Sequence, residues 1–429
     1  MGSYYESNLQ YVVAPMTAGL ANNPSVPLPR LVAPAGRFVR WALLHRLRST
    51  WTGARLDLAL PSGELVRLGT SGPPDATARI HDDRTFLRLL LRGEIGAGES
   101  FVAGEWSSDD LVGVVRAFLR GTAARGAESA LTRIAQLRSL LGHRRAENTP
   151  AGSQRNIHAH YDLGNDLYRL FLDDETLAYS CAYWPDPHHP QLTLAEAQVA
   201  KLDRLCDGLG LTGRDHLLEI GCGWGGMAIH AARTRGCRVT AITVSREQHA
   251  LASARVAAAG LADRVSIQFR DYRDLDGSFD KIVSIEMLEA VGHDYVPTFF
   301  ATCARSLVPG GRLALQTITM PDDRFAGYRR RVDWMQTYIF PGSCIPSLAL
   351  IRRASAAAGL ALTGGEDIGA CYVPTLRTWR ESFLSALPAV RALGFDTPFI
   401  RTWLMYLAFS EAAFAERTLG VHQLRFTRG

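Results

Sequence analysis

The chain has 429 residues, 47 of them Lys or Arg against 42 Asp or Glu, for a net charge of +5, and 47% are hydrophobic. That length accommodates a catalytic domain of about 270 residues and a second, smaller one. No apolar run reaches the roughly 18 residues of a membrane span, and MGSYYESNLQ at the N-terminus lacks a charged region followed by an apolar core, so a cytoplasmic location is expected. The seven cysteines, at 181, 206, 222, 237, 303, 344 and 371, have neither paired spacing nor C-x-x-C, which points to reduced thiols and to no metal site. The basic residues are almost all arginine, with lysine just at Lys201 and Lys281; genomic base composition explains that bias more simply than bidentate phosphate contact.

Residues 1–36, rich in Pro, Ala, Asn and Gly, read as an N-terminal arm. From Arg37 to Trp51, Phe38, Trp41, Leu44 and Leu47 recur at helical spacing among Arg37, Arg40, Arg46 and Arg48. Such a basic amphipathic helix either lies on an anionic membrane surface or packs one face on a domain core, and both readings stay open. ARLDLAL and ELVRLGT, joined by Pro61-Ser62-Gly63, alternate as a hairpin does. A helix (DDRTFLRLLLRG), a glycine-punctuated segment (GEIGAGESFVAGEWSSDDL) and a second helix (LVGVVRAFLRG) complete a small α+β domain over residues 37–122. Residues 123–155 form a basic linker, helix-like over 131–145, with Arg133, Arg138, Arg144 and Arg145 either on a solvated face or against anionic headgroups.

The catalytic domain spans 156–429 and opens with NIHAHYDLGNDLYRLFLDDETLAYSCAYW (156–184), dense in aromatic and histidine residues and read as a helical cap over the site. LLEIGCGWGGMAIHAA (217–232) then passes from strand through a glycine turn, with Gly221, Gly223 and Gly225, into a helix start. Glycines permit close backbone approach, and the free N–H groups of a helix start favour a polar or anionic partner. A glycine motif alone is weak, but Glu219 two residues before the first glycine makes E-x-G-x-G-x-G, the usual loop for S-adenosylmethionine (SAM). Strands at 238–245, 264–272, 279–288 and 312–320 alternate with helices, which predicts an α/β doubly wound, Rossmann-like sheet of the class I SAM-methyltransferase type. Gly221, Thr243, Ser245, Asp271, Tyr272, Glu286, Glu289 and Gln316 fall at the carboxyl ends of those strands, where this architecture binds ligands.

HYDLGNDLYRLFLD, YSCAYW, IGCGWGG, DYRDL, the E-x-V-G of Glu289 to Gly292 and YIFPGSCIPS resemble the cyclopropane-fatty-acyl-phospholipid synthase family from about residue 156 to the C-terminus. GEIGAGESFVAGEW resembles the lipid-binding N-terminal domain of its longer members. The resemblance implies SAM-dependent methyl transfer to the cis double bond of a phospholipid acyl chain. SAM contacts carry over to Tyr179, Ser180, Gly221, Gly223, Thr243, Gln248, Asp271 and Tyr272.

An alkene attacking a sulfonium methyl leaves a mid-chain carbocation that aromatic faces must shield from water, and Tyr161, Tyr179, Tyr183, Trp184, Trp334, Tyr338 and Tyr372 are candidates for that task. The resemblance makes bicarbonate the base that removes the proton, held by Cys181, Glu289, Ile318 and Tyr372, with Gln316 where the family has histidine. Glutamine can hydrogen-bond an oxyanion but cannot carry charge. Ala290 replaces the histidine of E-H-V-G. LQTI and EAVG together are similar to the actinobacterial branch of tuberculostearic acid synthesis, which implies a 10-methylene product from oleoyl phospholipid; a cyclopropane is the other outcome of the same cation. The expected partners are anionic membrane surface, unsaturated phospholipid, a separate flavin or NADPH-dependent reductase and a second copy of the chain, but no nucleic acid, with the enzyme peripheral on the inner membrane face. A methyltransferase of soluble small molecules and a non-catalytic lipid-binding protein are the readings from other classes.

Overall fold

The computed structural model describes residues 33–69, 75–121 and 163–429. The linker with its four arginines, Tyr161 and the first residues of the cap lie outside them. The helix Ala33–Thr50 buries Leu44 and Leu47 and leaves Phe38 and Trp41 66% and 63% exposed. Strands Leu56–Ala59 (β1) and Leu65–Leu68 (β2) form the expected antiparallel hairpin, with Leu56 opposite Leu68. Ala76–Ile80 (β3) and Trp106–Ser107 (β4) extend it to a sheet of order β2-β1-β3-β4. The glycine-punctuated segment is helical over Glu94–Val102. Its Gly96 is a packing residue, because a Cβ there would stand 2.0 Å from the Arg88 carbonyl oxygen of the preceding helix.

The second sheet comprises His216–Ile220 (β5), Arg238–Thr243 (β6), Val265–Phe269 (β7), Phe279–Ile285 (β8), Leu307–Thr319 (β9), Leu360–Asp367 (β10) and Gly420–Arg428 (β11), ordered β10-β11-β9-β8-β5-β6-β7. Leu217, Leu218 and Ile220 of β5 are all almost fully buried, as a strand covered on both faces requires. β5 to β9 run parallel, and β11 enters antiparallel between β9 and β10. That insertion places Gln423 opposite Gln316. β8 stops earlier than the expected 288, because Glu286 takes a left-handed backbone with φ of 49° and turns the chain towards the site. β5 lies between β6 and β8, so the chain reverses its winding there and opens a crevice at the strand ends.

One hydrophobic core runs through the N-terminal unit, the cap and the helices after β10. Polar ties reinforce it: Arg401 donates to the carbonyls of Phe101 and Trp106 at 2.6 and 2.8 Å, and Arg116 and Arg120 both pair with Glu416 at 2.7 Å.

Candidate active site

The glycine turn after β5 is clamped on the cap. A Cβ on Gly226 would stand 2.4 Å from the Thr176 carbonyl oxygen, so only glycine allows this approach. Arg255 donates to the carbonyls of Trp224 and Thr176 at 2.6 and 3.2 Å, and the Trp224 indole to Asn165 at 2.7 Å. These ties were not legible in the sequence, since each links residues far apart in it.

A cavity of about 170 Å³ opens at the ends of β5, β6 and β8, lined by Tyr179, Ser180, Glu219, Gly221, Gly223, Thr243, Gln248, Asp271 and Tyr272, all nine anticipated. Two expected contacts do not line it. Ser245 caps the helix Arg246–Ala258, its hydroxyl accepting from the Gln248 N–H at 3.2 Å, and Gly225 faces Ala252. Asp271 is held by Arg273, whose backbone N–H and guanidinium engage both carboxylate oxygens at 2.6–2.9 Å. Glu219 is 3% exposed and its Oε2 has no hydrogen-bond partner; burial pushes its carboxyl up to about 8. A buried carboxylate oxygen aimed into a cavity is suited to a cationic ligand group, and nothing lies within 4 Å of where a Cβ of Gly223 would project. The residues fit SAM: Glu219 would hold its cationic end and the glycine turn would let it approach the backbone.

A second cavity of about 610 Å³ shares Tyr179, Glu286 and Ala290 with the first. Of the aromatic candidates, Tyr179 and Tyr372 line it. Tyr183 lies under the Arg204 guanidinium, Trp184 donates to Thr375 at 2.9 Å, Trp334 packs on Gly98 and Tyr338 donates to Glu99, so these four are packing residues in this structure. Tyr328, Tyr406, Phe409 and Phe414 line the cavity instead, from helices whose periodicity gave no sign of a site, with Phe340 from the turn after the helix Trp334–Tyr338.

At the shared wall stands a carboxylate pair. Glu286 Oε1 accepts from the Cys181 backbone N–H at 2.9 Å and from Gln316 Nε2 at 2.8 Å, and its Oε2 accepts from the Tyr372 hydroxyl at 2.8 Å. Gln316 is oriented by its neighbours: Nε2 also donates to the Cys181 carbonyl at 3.0 Å, and Oε1 accepts from Gln423 at 3.0 Å. Glu289 accepts from the Ile318 backbone N–H and from Thr317 Oγ1 at 3.1 Å, while its Oε2 is buried without a partner. Burial raises both carboxyls, and the neighbouring Glu286 charge helps push Glu289 to about 8. Lys201, itself buried, donates to Ser180 Oγ at 2.8 Å and is lowered to about 8 by that burial. The Cys181 thiol is pushed well above its ordinary value by burial, so this residue offers a backbone donor, not a nucleophile. Of the five expected residues, Cys181, Gln316 and Tyr372 converge on Glu286, which the resemblance had not assigned, while Ile318 donates to Glu289. Bicarbonate does not fit here, because the donors of Cys181, Gln316, Ile318 and Tyr372 are already engaged by two protein carboxylates.

Fold and site together define a class I SAM-dependent methyltransferase. Residues 149–424 match the family described as mycolic acid cyclopropane synthetase, and the chain belongs to that family. It is 40% identical over 383 residues to "Tuberculostearic acid methyltransferase UfaA1" of Mycobacterium tuberculosis, covering 88% of this chain and 89% of that one. It is 36% identical over 367 residues to the cyclopropane-fatty-acyl-phospholipid synthase of Escherichia coli, covering 84% and 90%. Mycolic acid cyclopropane synthase CmaA1, solved with SAH and CTAB, superposes with a TM-score of 0.59 at 29% identity, covering 64% of this chain and 98% of that one. Among the described residues no group could hold a metal ion and no helix is long and apolar enough to cross a membrane.

Proposed function

We propose that this enzyme methylates the cis double bond of an oleoyl chain in a membrane phospholipid and forms a 10-methylene product. The observation that carries the reading is the meeting of two cavities at Tyr179, Glu286 and Ala290, one suited to SAM and the other large and predominantly apolar. Bound SAM supplies an electrophilic methyl carbon. Glu219 holds and orients it, Ala290 leaves room at the junction, and Tyr179, Tyr372, Tyr406 and Phe414 exclude water from the mid-chain cation and stabilise it with their rings. A 1,2-hydride shift before proton loss gives the methylene; closure without it gives a cyclopropane. The likeness to a tuberculostearic acid methyltransferase favours the former, and saturation of the methylene would fall to a separate flavin or NADPH-dependent reductase. The unit over residues 37–122 serves as the lipid-docking domain, its exposed Phe38 and Trp41 beside Arg37 and Arg46 on one helix, and the enzyme works at the inner membrane face.

The test is mass spectrometry of lipids from an oleate-fed host expressing this chain alone. An acyl chain heavier by one CH₂ that adds hydrogen on catalytic reduction is expected; a mass gain with a ring assigns the cyclopropane product, and no mass gain overturns the reading.

A further inference from the structure

We propose that Glu286 is the general base of this enzyme, its carboxylate standing where the family resemblance placed a bicarbonate ion. The inference rests on the methyl-transfer reading above. Three donors from separate parts of the chain converge on this side chain: the Cys181 N–H from the cap, Gln316 Nε2 from β9 and the Tyr372 hydroxyl from the helix after β10. Three donors and no acceptor are the surroundings of a carboxylate, not of a neutral acid. The amide of Gln316 is oriented by two acceptors, the Cys181 carbonyl and Glu286 Oε1, which both face its Nε2.

Position agrees with this role. Glu286 lines both cavities at their junction, whereas Cys181 and Gln316 line neither and are covered by it. Its backbone φ of 49° lies in the left-handed region that favours glycine, a strain retained where surrounding structure holds the residue in place. Burial raises both carboxyls of the pair, but Glu286 accepts from three donors while Glu289 Oε2 has no partner, so Glu286 is the one better held as a carboxylate.

The step balances without a further reactant. The π electrons of the alkene form the bond to the methyl carbon as the carbon–sulfur bond breaks, leaving SAH and a carbocation. Glu286 then takes a proton from the transferred methyl, and the released C–H pair forms the exocyclic double bond after the hydride shift, or closes the ring without it. The proton leaves the carboxyl for solvent after product release.

The test compares wild type, Glu286→Gln and Glu286→Gly on vesicles of dioleoyl phospholipid, in buffer stripped of carbon dioxide and with added sodium bicarbonate or formate. Glycine is at ease at φ of 49°, so the Gly variant keeps the fold and frees the three donors. Wild-type turnover is expected to be indifferent to bicarbonate. Both variants should lose about 10²- to 10⁴-fold in turnover while still binding SAM, the usual contribution of a general base. Only the Gly variant should recover, by about tenfold or more, with bicarbonate or formate. Bicarbonate dependence of the wild type, or an active Gln variant, overturns the proposal. Titration of ¹³C-bicarbonate followed by NMR decides it apart from turnover: binding by the Gly variant and none by wild type is expected, and any other pattern overturns it. A wild type that methylates no lipid yet obeys this binding pattern would sink the proposed function alone.

Discussion

Tyr372 donates its phenolic proton to Glu286 Oε2 over 2.8 Å, joining the helix after β10 to the end of β8. A hydrogen bond to a charged acceptor is worth roughly 1.5–3 kcal/mol, and about 1.4 kcal/mol corresponds to one pH unit. Tyr372→Phe should therefore move the acid limb of the pH–rate profile about one to two pH units higher, because the ionised form loses a stabilising donor. Turnover at pH 6 should fall more than at pH 8.5. A limb that stays in place would mean that the hydroxyl does not hold the carboxylate ionised.

The glycine turn separates ligand contact from packing. Gly223 faces open space and Gly226 presses on the Thr176 carbonyl. Gly223→Val should abolish SAM binding in calorimetry with a small loss of thermal stability, and Glu219→Ala should do likewise, since Oε2 of Glu219 has no protein partner to lose. Gly226→Ala should instead lower the melting temperature clearly, at a cost of about 1–3 kcal/mol from overpacking. Wild-type SAM affinity in either of the first two variants would remove the cofactor assignment.

Stability should depend on pH through the buried carboxyls. Glu219 and Glu289 titrate near 8 in the fold against an ordinary 4.5, chiefly because burial disfavours their charge. Between those values the folded chain holds protons that the unfolded chain has released, so their contribution is fully present below about 4.5 and is lost as pH rises through 8. The urea midpoint of the ligand-free protein should fall from pH 5.5 to pH 8.5, by an amount on the order of a few kcal/mol in unfolding free energy. Glu289→Gln should flatten that slope; an equal slope in the variant would show that other groups cause it.

Docking should depend on the exposed end of the first helix. Arg40 is paired with Asp83 at 3.1 Å, so Arg37 and Arg46 are the better lipid contacts beside Phe38 and Trp41. Each arginine is worth at most about 1 kcal/mol near an anionic surface, screened within roughly 10 Å at 0.1 M salt. A variant with Arg37→Gln, Arg46→Gln, Phe38→Ser and Trp41→Ser should co-sediment with anionic vesicles more than tenfold less well at low salt, the aromatic rings contributing roughly 1.5–3 kcal/mol each where fully buried. Its SAM affinity should be unchanged. Undiminished sedimentation would place docking elsewhere.

Local pattern by itself determined the hairpin, the parallel strands, the glycine turn and the acidic residue before it, because each depends on spacing within a few residues of chain. Glu219 and Gly223, which line the first cavity, could be singled out for that reason. The helix Glu94–Val102 could not, since glycine is a poor helix former and only packing on Arg88 and Trp334 explains Gly96 and Gly98. Only the tertiary structure decided what the polar residues at the strand ends do. Glu286 reads as one more acidic residue beside Glu289 until β11 inserts next to β9, fixes Gln316 through Gln423 and leaves its amide N–H groups for Glu286 and the Cys181 carbonyl. The thiol of Cys181, the ring of Tyr183 and the guanidinium of Arg40 were likewise settled by partners distant in sequence, Ile368, Arg204 and Asp83. A buried charge is stabilised by the donors that surround it, and those donors come together when distant strands and helices pack.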